Sequence, residues 1–381
     1  MRILKNPLLS GALRGTRSKL HAVSLAVGSR ATRNARRQLA VKNAEISALK
    51  RELALARKAG YSQFEEVKAP VFFVLGYQKS GTTWLMHMLD AHPEILCKGE
   101  GRLFDGGWSQ KSLKRSGVER PASSLYHALL EAEYLRLWVE RSVWSKNDPA
   151  DEHLSNLTRM AVDYFLEGEL LKSGKKMVGD KSPLLTAHTI KEISRIYPEA
   201  RVVHIIRDGR DTAVSAFHHS QNFGMSRKKA ESPPVREASR RNSESSQSDE
   251  SIFDEDLLRK LSRDWSDRVG SAVKNGPALL GDNYAEVRYE ALVEKPEAGL
   301  PRLLEFLGAS HDQRTARHCV EAASFEKLSG GRERGREDPK SFFRKGVVGD
   351  WENVFTNRDR SIFNEEAGEL LSELGYETGE S

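Results

Sequence analysis

Cysteine is nearly missing: Cys97 and Cys319 are the only two in 381 residues. Two thiols cannot build a disulfide framework, which points to a reducing compartment. Long apolar runs are missing too. None approaches the roughly 20 residues a bilayer-crossing helix needs, so the chain reads as soluble and cytoplasmic. Acidic residues are scarce at the start, where residues 1–60 hold fourteen Lys and Arg against two Glu, a net of +12. The whole chain carries +6, so the remainder carries −6. The basic surplus belongs to the N-terminal arm, and the overall charge gives no ground for a nucleic-acid partner. Apolar residues nearly vanish between 224 and 250, where Ser, Arg, Glu, Lys and Pro dominate. That stretch reads as a disordered insertion. No cluster of Asp and Glu stands at a strand end, so no metal is expected.

The arm has two parts. Residues 1–30 are basic and lack acids. They read as a disordered arm, with a membrane-surface segment or an organelle transit peptide as the alternatives. Residues 31–60 turn helical: Leu39, Ile46 and Leu53 repeat every seven positions, with Leu49 and Ala56 between them, and Lys42 interrupts the seam. This is a short coiled-coil pattern, readable as a homodimer seam or as one amphipathic helix.

The rest of the chain is organised around V-F-F-V-L-G-Y-Q-K-S-G-T-T-W-L-M-H-M-L at 71–89. A β-forming run, a glycine-bounded loop and a helical run together make the geometry that cradles a phosphate on backbone N–H groups. Gly76 and Gly81 have the spacing of a nucleotide P-loop, but Thr82 takes the lysine position and Lys79 sits inside the loop. A second apolar run at 202–206 ends at Arg207, placing an arginine where parallel sheets bind ligands, and Ser215 follows on the next helix. A third segment, F-R-K-G-V-V-G-D-W at 343–351, is basic and glycine-rich.

These three segments, in this order, resemble the donor site of sulfotransferases that use 3′-phosphoadenosine 5′-phosphosulfate (PAPS), over about residues 70–356. The resemblance implies an α/β fold: a P-loop-like parallel sheet flanked by helices in a domain at 68–381, with the N-terminal helical arm appended. It implies that Lys79, Ser80, Gly81, Thr82 and Thr83 hold the 5′-phosphosulfate. Arg207, Ser215, Arg344, Lys345 and Gly346 would hold the 3′-phosphate, and Trp84, Tyr289 and Phe325 the adenine. Ala323-Ser-Phe325 is similar to the family's T-S-F, with alanine for threonine. The family's Golgi members carry a membrane anchor, unlike the apolar profile here.

The segment at 91–102, A-H-P-E-I-L-C-K-G-E-G-R, resembles the base region of tyrosylprotein sulfotransferases and, more loosely, of glycan sulfotransferases. That makes Glu100 the expected catalytic base, with Arg102 two residues on. Lys181, in G-D-K-S-P, is expected beside the sulfuryl group. His92 and His188 are the next candidates for base, while His218 and His219 read as helix-surface or acceptor-pocket residues. The histidine motif H-x-x-L-P of phenol- and steroid-type cytosolic enzymes is missing. The acceptor is a hydroxyl on a glycan, lipid, small molecule or peptide. A P-loop kinase or nucleotide hydrolase, and a non-catalytic nucleotide-binding scaffold, are the alternatives.

Overall fold

The computed structural model describes residues 69–104, 124–130, 132–183, 185–186, 188–223, 251–338 and 340–378, together with Gln38 and Lys42. Contacts divide the chain at residues 64 and 65. Of the first unit only Gln38 and Lys42 are described, both helical and exposed. The expectations for the arm at 1–30, the rest of the 31–60 helix and the 224–250 insertion lie outside the described residues.

The second unit is built on five parallel strands: β1 (Val71–Gly76), β2 (Ile95–Gly99), β3 (Met177–Ser182), β4 (Arg201–Ile206) and β5 (Tyr284–Arg288). They lie in the order β2-β3-β1-β4-β5. The helices are α1 (Thr82–Asp90), α2 (Leu125–Leu130), α3 (Glu133–Arg141), α4 (Ala150–Ser173), α5 (Thr189–Ile196) and α6 (Gly209–Phe223). After them come α7 (Glu255–Leu280), α8 (Tyr289–Glu294), α9 (Pro296–Leu307), α10 (Gln313–Ala322), α11 (Phe325–Leu328) and α12 (Asn357–Glu373). The expected parallel sheet flanked by helices is what the chain forms.

Alternation along β1 assigns the layers. Phe72 and Val74 pack with Leu85, Met88, Leu89, Leu300 and Leu304 on one face. Phe73 and Leu75 pack with Ile190, Ile193, Tyr197 and Ala272 on the other. A strand buried on both faces reads as a continuous apolar run, and V-F-F-V-L does. A third cluster lies beyond the carboxyl end of β4, where Ile206 and Val214 meet Trp265, Trp351 and Phe363. It ties α6, α7 and α12 to the segment that carries Arg344.

Two elements had no assignment from sequence. Ile95–Gly99 is an edge strand, pairing Cys97 with Gly179 and Gly99 with Lys181. Its three apolar residues followed by Lys98 are too short a signal to separate from a loop. Tyr289 opens α8, directly after β5. Among the described residues no helix is long and apolar enough to cross a membrane.

Candidate active site

Because all five strands are parallel, their carboxyl ends share one edge of the sheet, and each delivers a residue singled out above. β1 leads into the Lys79 loop, β2 into Glu100, β4 into Arg207 and β5 into Tyr289, while Lys181 is the penultimate residue of β3.

The loop after β1 is held in a shape few residues adopt. Lys79 has φ 67 and Gly81 φ 96. A side chain at Gly81 would begin 2.5 Å from the Tyr289 ring, so glycine is required there for space as well as for φ. The Ser80 N–H donates to the Tyr77 carbonyl at 3.1 Å. α1 then starts with no side-chain cap and no acidic residue in its first turn. Its N-terminal amides and dipole thus face the loop without a protein anion to satisfy them. Thr82 is buried, with its methyl toward Gly76.

Cations converge on this loop. Arg207 donates through Nη1 to the Lys79 carbonyl (3.2 Å) and through Nη2 to Asp211 (3.0 Å) and the Val347 carbonyl (3.1 Å). Its guanidinium also stacks 4.5 Å over the Tyr289 ring. The Lys79 ammonium lies 4.4 Å over the Phe342 ring. Burial, and then the charges of Arg207 and Arg344, push its pKa down to about 8. Among the described residues, the buried Ser80 Oγ and Arg207 Nε have no hydrogen-bond partner. A depressed lysine, orphaned donors and an uncapped helix start are what a bound polyanion would relieve, so these residues fit a phosphosulfate donor.

The third expected segment reaches the same place. Arg344 pairs with Glu337 (2.7 Å) and with Asp350, and Lys345 pairs with Asp350 (2.5 Å). Burial raises the Asp350 carboxyl, but hydrogen bonds from Lys345 and Arg344 outweigh it and hold it low. Gly346 has φ 69, and a side chain there would begin 2.4 Å from the Phe325 ring. Asp211 accepts from the Gly349 N–H (3.0 Å) and the Trp351 N–H (3.1 Å) as well as from Arg207. One buried carboxylate therefore fastens the segment to the end of β4. Ser215 is half-buried on α6, and among the described residues no hydrogen bond joins it to Arg207 or Arg344.

Trp84 and Phe325 line one cleft of about 330 Å³ with Pro296, Ala323, Ser324 and Glu333. The Trp84 indole N–H donates to the Ala323 carbonyl at 2.9 Å, which fixes the ring despite the missing threonine. Tyr289 is not in the cleft wall. It is buried beneath Gly81, edge-on to Trp84 at 5.5 Å.

On the other side of the loop, Lys181 joins donor and base regions. Its buried ammonium donates to Glu100 Oε1 (2.9 Å) and to Thr83 Oγ1 (3.2 Å). The Glu100 side chain is 52% exposed, so a partner can reach it. His92 does not qualify as a base. It is fully buried, its Nδ1 accepts from the Glu94 N–H (3.0 Å) and its Nε2 bonds the Ser310 carbonyl (2.8 Å). His188 is exposed at the start of α5.

A model of the sulfotransferase family matches residues 70–313. The chain belongs to the sulfotransferase family. It is 24% identical over 260 residues to protein-tyrosine sulfotransferase A of Caenorhabditis elegans, covering 66% of this chain and 53% of that one. It is 25% identical to a putative protein-tyrosine sulfotransferase of Caenorhabditis briggsae, over 84% of this chain and 92% of that one. A flavonol sulfotransferase-like protein of Flaveria bidentis is 28% identical over 59% of this chain and 74% of its own. The chain thus spans about half the length of the first of these relatives and nearly all of the second. Among solved structures, a mouse sulfotransferase complexed with PAP aligns with TM-score 0.47 and 18% identity over 81% of this chain and 87% of that one.

Within this sulfotransferase-family site, several residues lacked a sequence signal. Phe342 lies against Lys79, and the ring of His219 stands edge-on to it at 6.1 Å. Burial first, and then Lys79, lowers the His219 pKa, while burial and Arg344 lower that of His218. Both histidines are half-buried on α6. Asp211 had no signal beyond its place four residues after Arg207, early in α6. Asp180, whose Oδ1 accepts from the Gly101 N–H at 3.0 Å, had no signal beyond adjacency to Lys181.

Proposed function

We propose that the chain transfers a sulfuryl group from PAPS to an acceptor hydroxyl. The observation that carries this is Lys181, which ties the base candidate Glu100 to Thr83 of the donor loop through one buried ammonium. Bound PAPS supplies the activated sulfuryl group and leaves as the 3′,5′-bisphosphate, PAP. In this reading the amides of Ser80 to Thr83 hold the 5′-phosphosulfate. Arg207, Ser215, Arg344, Lys345 and Gly346 hold the 3′-phosphate, with Asp350 and Glu337 yielding part of their hold on Arg344. The adenine enters between Trp84 and Phe325. Lys79, on the loop, neutralises charge on the oxygen that parts from sulfur.

Glu100 takes the acceptor proton during in-line attack, not before it, since a carboxylate is too weak a base to ionise a hydroxyl in advance. Lys181 occupies one of about four lone-pair sites of that carboxylate, which orients the group and leaves capacity for the acceptor proton. The named relatives include protein-tyrosine sulfotransferase A and a flavonol sulfotransferase-like protein; tyrosine and flavonol hydroxyls are both phenolic, and a phenol needs the least help from such a base. A phenolic hydroxyl is therefore the acceptor to test first.

The test is transfer of labelled sulfate from PAPS to a tyrosine-containing peptide, beside PAP affinity, for the natural chain and Glu100→Gln. Glutamine keeps the shape but cannot take the proton, so turnover should fall about a hundred- to ten-thousand-fold with PAP affinity unchanged. Near-normal turnover in the variant would remove Glu100 from the role.

A further inference from the structure

The turn that carries Glu100 is strained on both sides. Glu100 has φ 64 and Arg102 φ 52, and with Lys79 they are the non-glycine residues of positive φ among those described. Strained backbone persists only where its surroundings over-determine it. Two bonds from β3 do so here. The Glu100 N–H donates to the Lys181 carbonyl at 2.7 Å, and the Gly101 N–H donates to Asp180 Oδ1 at 3.0 Å. A side chain at Gly101 would begin 2.9 Å from that same oxygen, so the glycine lets the carboxylate come this close. Asp180 stands opposite Lys98 in the parallel register, one residue before Lys181 stands opposite Gly99.

We propose that Asp180 is a positioning residue: its carboxylate clamps the Glu100–Gly101–Arg102 turn so that the Glu100 side chain stays beside Lys181 and Thr83. The inference rests on the reading of Glu100 as base, and it adds a residue that acts only through Glu100. Asp180 is 7% exposed, and burial pushes its carboxyl up to about 7 against the pull of the Gly101 N–H and Lys181. The charged groups nearest it are Lys181, next to it on its own strand, Glu100 beyond β2 and Arg102 across a small cavity. Cys97 of β2 feels its charge, and Arg102, Ser182 and Thr189 line the same small cavity. A carboxylate in so dry a place is costly to keep ionised, and the Gly101 amide is the backbone donor it meets.

Alanine removes the clamp, whereas the carboxamide oxygen of asparagine can still accept from Gly101. Amide hydrogen exchange at Gly101 in the full chain should rise about tenfold in Asp180→Ala and stay near the natural rate in Asp180→Asn. Turnover of PAPS with the tyrosine peptide should fall by up to about a hundredfold in the alanine variant. It should largely recover in the asparagine variant, with PAP affinity equal in all three. The inference is overturned if asparagine is as damaging as alanine, if alanine leaves Gly101 exchange unchanged, or if PAP affinity falls in step with turnover. A natural chain that binds PAP but sulfates no peptide would count against the phenol reading alone, and the exchange comparison would still decide the clamp.

Discussion

At the scale of single residues, this site keeps charges where burial disfavours them. Lys79 has its pKa pushed down to about 8 by burial, Arg207 and Arg344. An anion on the loop favours the ammonium, so bound Lys79 titrates higher than free Lys79. PAP affinity should be flat below about pH 8 and fall as pH rises through it, because binding must then take up a proton. Calorimetry in buffers of different ionisation heat at pH 7 and 9 measures this uptake, and Lys79→Met should abolish it. Asp180 shows the opposite shift, up to about 7. The unfolded chain ionises this group first, near the usual value of about 3.9, so it subtracts stability as pH rises from about 4 to 7. The full penalty, about 4 kcal/mol at most, applies above pH 7. Asp180→Asn should therefore melt higher than the natural chain at pH 8 and near it at pH 4. A residue kept at a cost to stability is consistent with a task for it at the Glu100 turn.

At the scale of elements, the donor site is three segments fastened to one sheet edge. Arg207 binds the carbonyls of Lys79 and Val347, and Asp211 binds the amides of Gly349 and Trp351. The 343–351 segment has no strand of its own, so its place depends on contacts: these, the bonds that Arg332, Gly335 and Asp338 donate to its carbonyls, and Trp351 packed in the α6–α7–α12 cluster. Asp211→Ala would leave two backbone donors and a guanidinium in a buried site without their acceptor. A loss of about 3–5 kcal/mol in stability is expected. PAP affinity should drop more than in a variant equally destabilised elsewhere in the core, such as Leu304→Ala. Denaturant midpoints and calorimetry on the two variants make that comparison.

At the scale of the molecule, one parallel sheet collects residues from 79 to 346 into a single mouth. Ligand binding should therefore stabilise the unit at 65–381 as a whole. At a hundred times its dissociation constant PAP should add about 2.7 kcal/mol and raise the melting temperature by several degrees. ATP at the same concentration should add little, because it has no 3′-phosphate for Arg207 and Arg344. Equal thermal shifts for the two nucleotides would return the site to the general P-loop class.

The strand-loop-helix around Lys79, the strand ending at Arg207 and the R-K-G segment were legible from local chemistry alone. Apolar runs, glycines of fixed spacing and a strand-end arginine are short-range signals that mark these segments, while the fold class was implied by the family resemblance. What local sequence could not set is which of these residues share a space. Tyr289 lies under Gly81 because α8 opens with it directly after β5, a placement no local pattern fixes. His92 left the list of bases because the fold closes both ring nitrogens on backbone groups, one of them at Ser310. Lys181 met both Thr83 and Glu100 only because β3 lies between β2 and β1. Strand order is decided by packing across the whole sheet, so the joining of base to donor loop belongs to the tertiary structure.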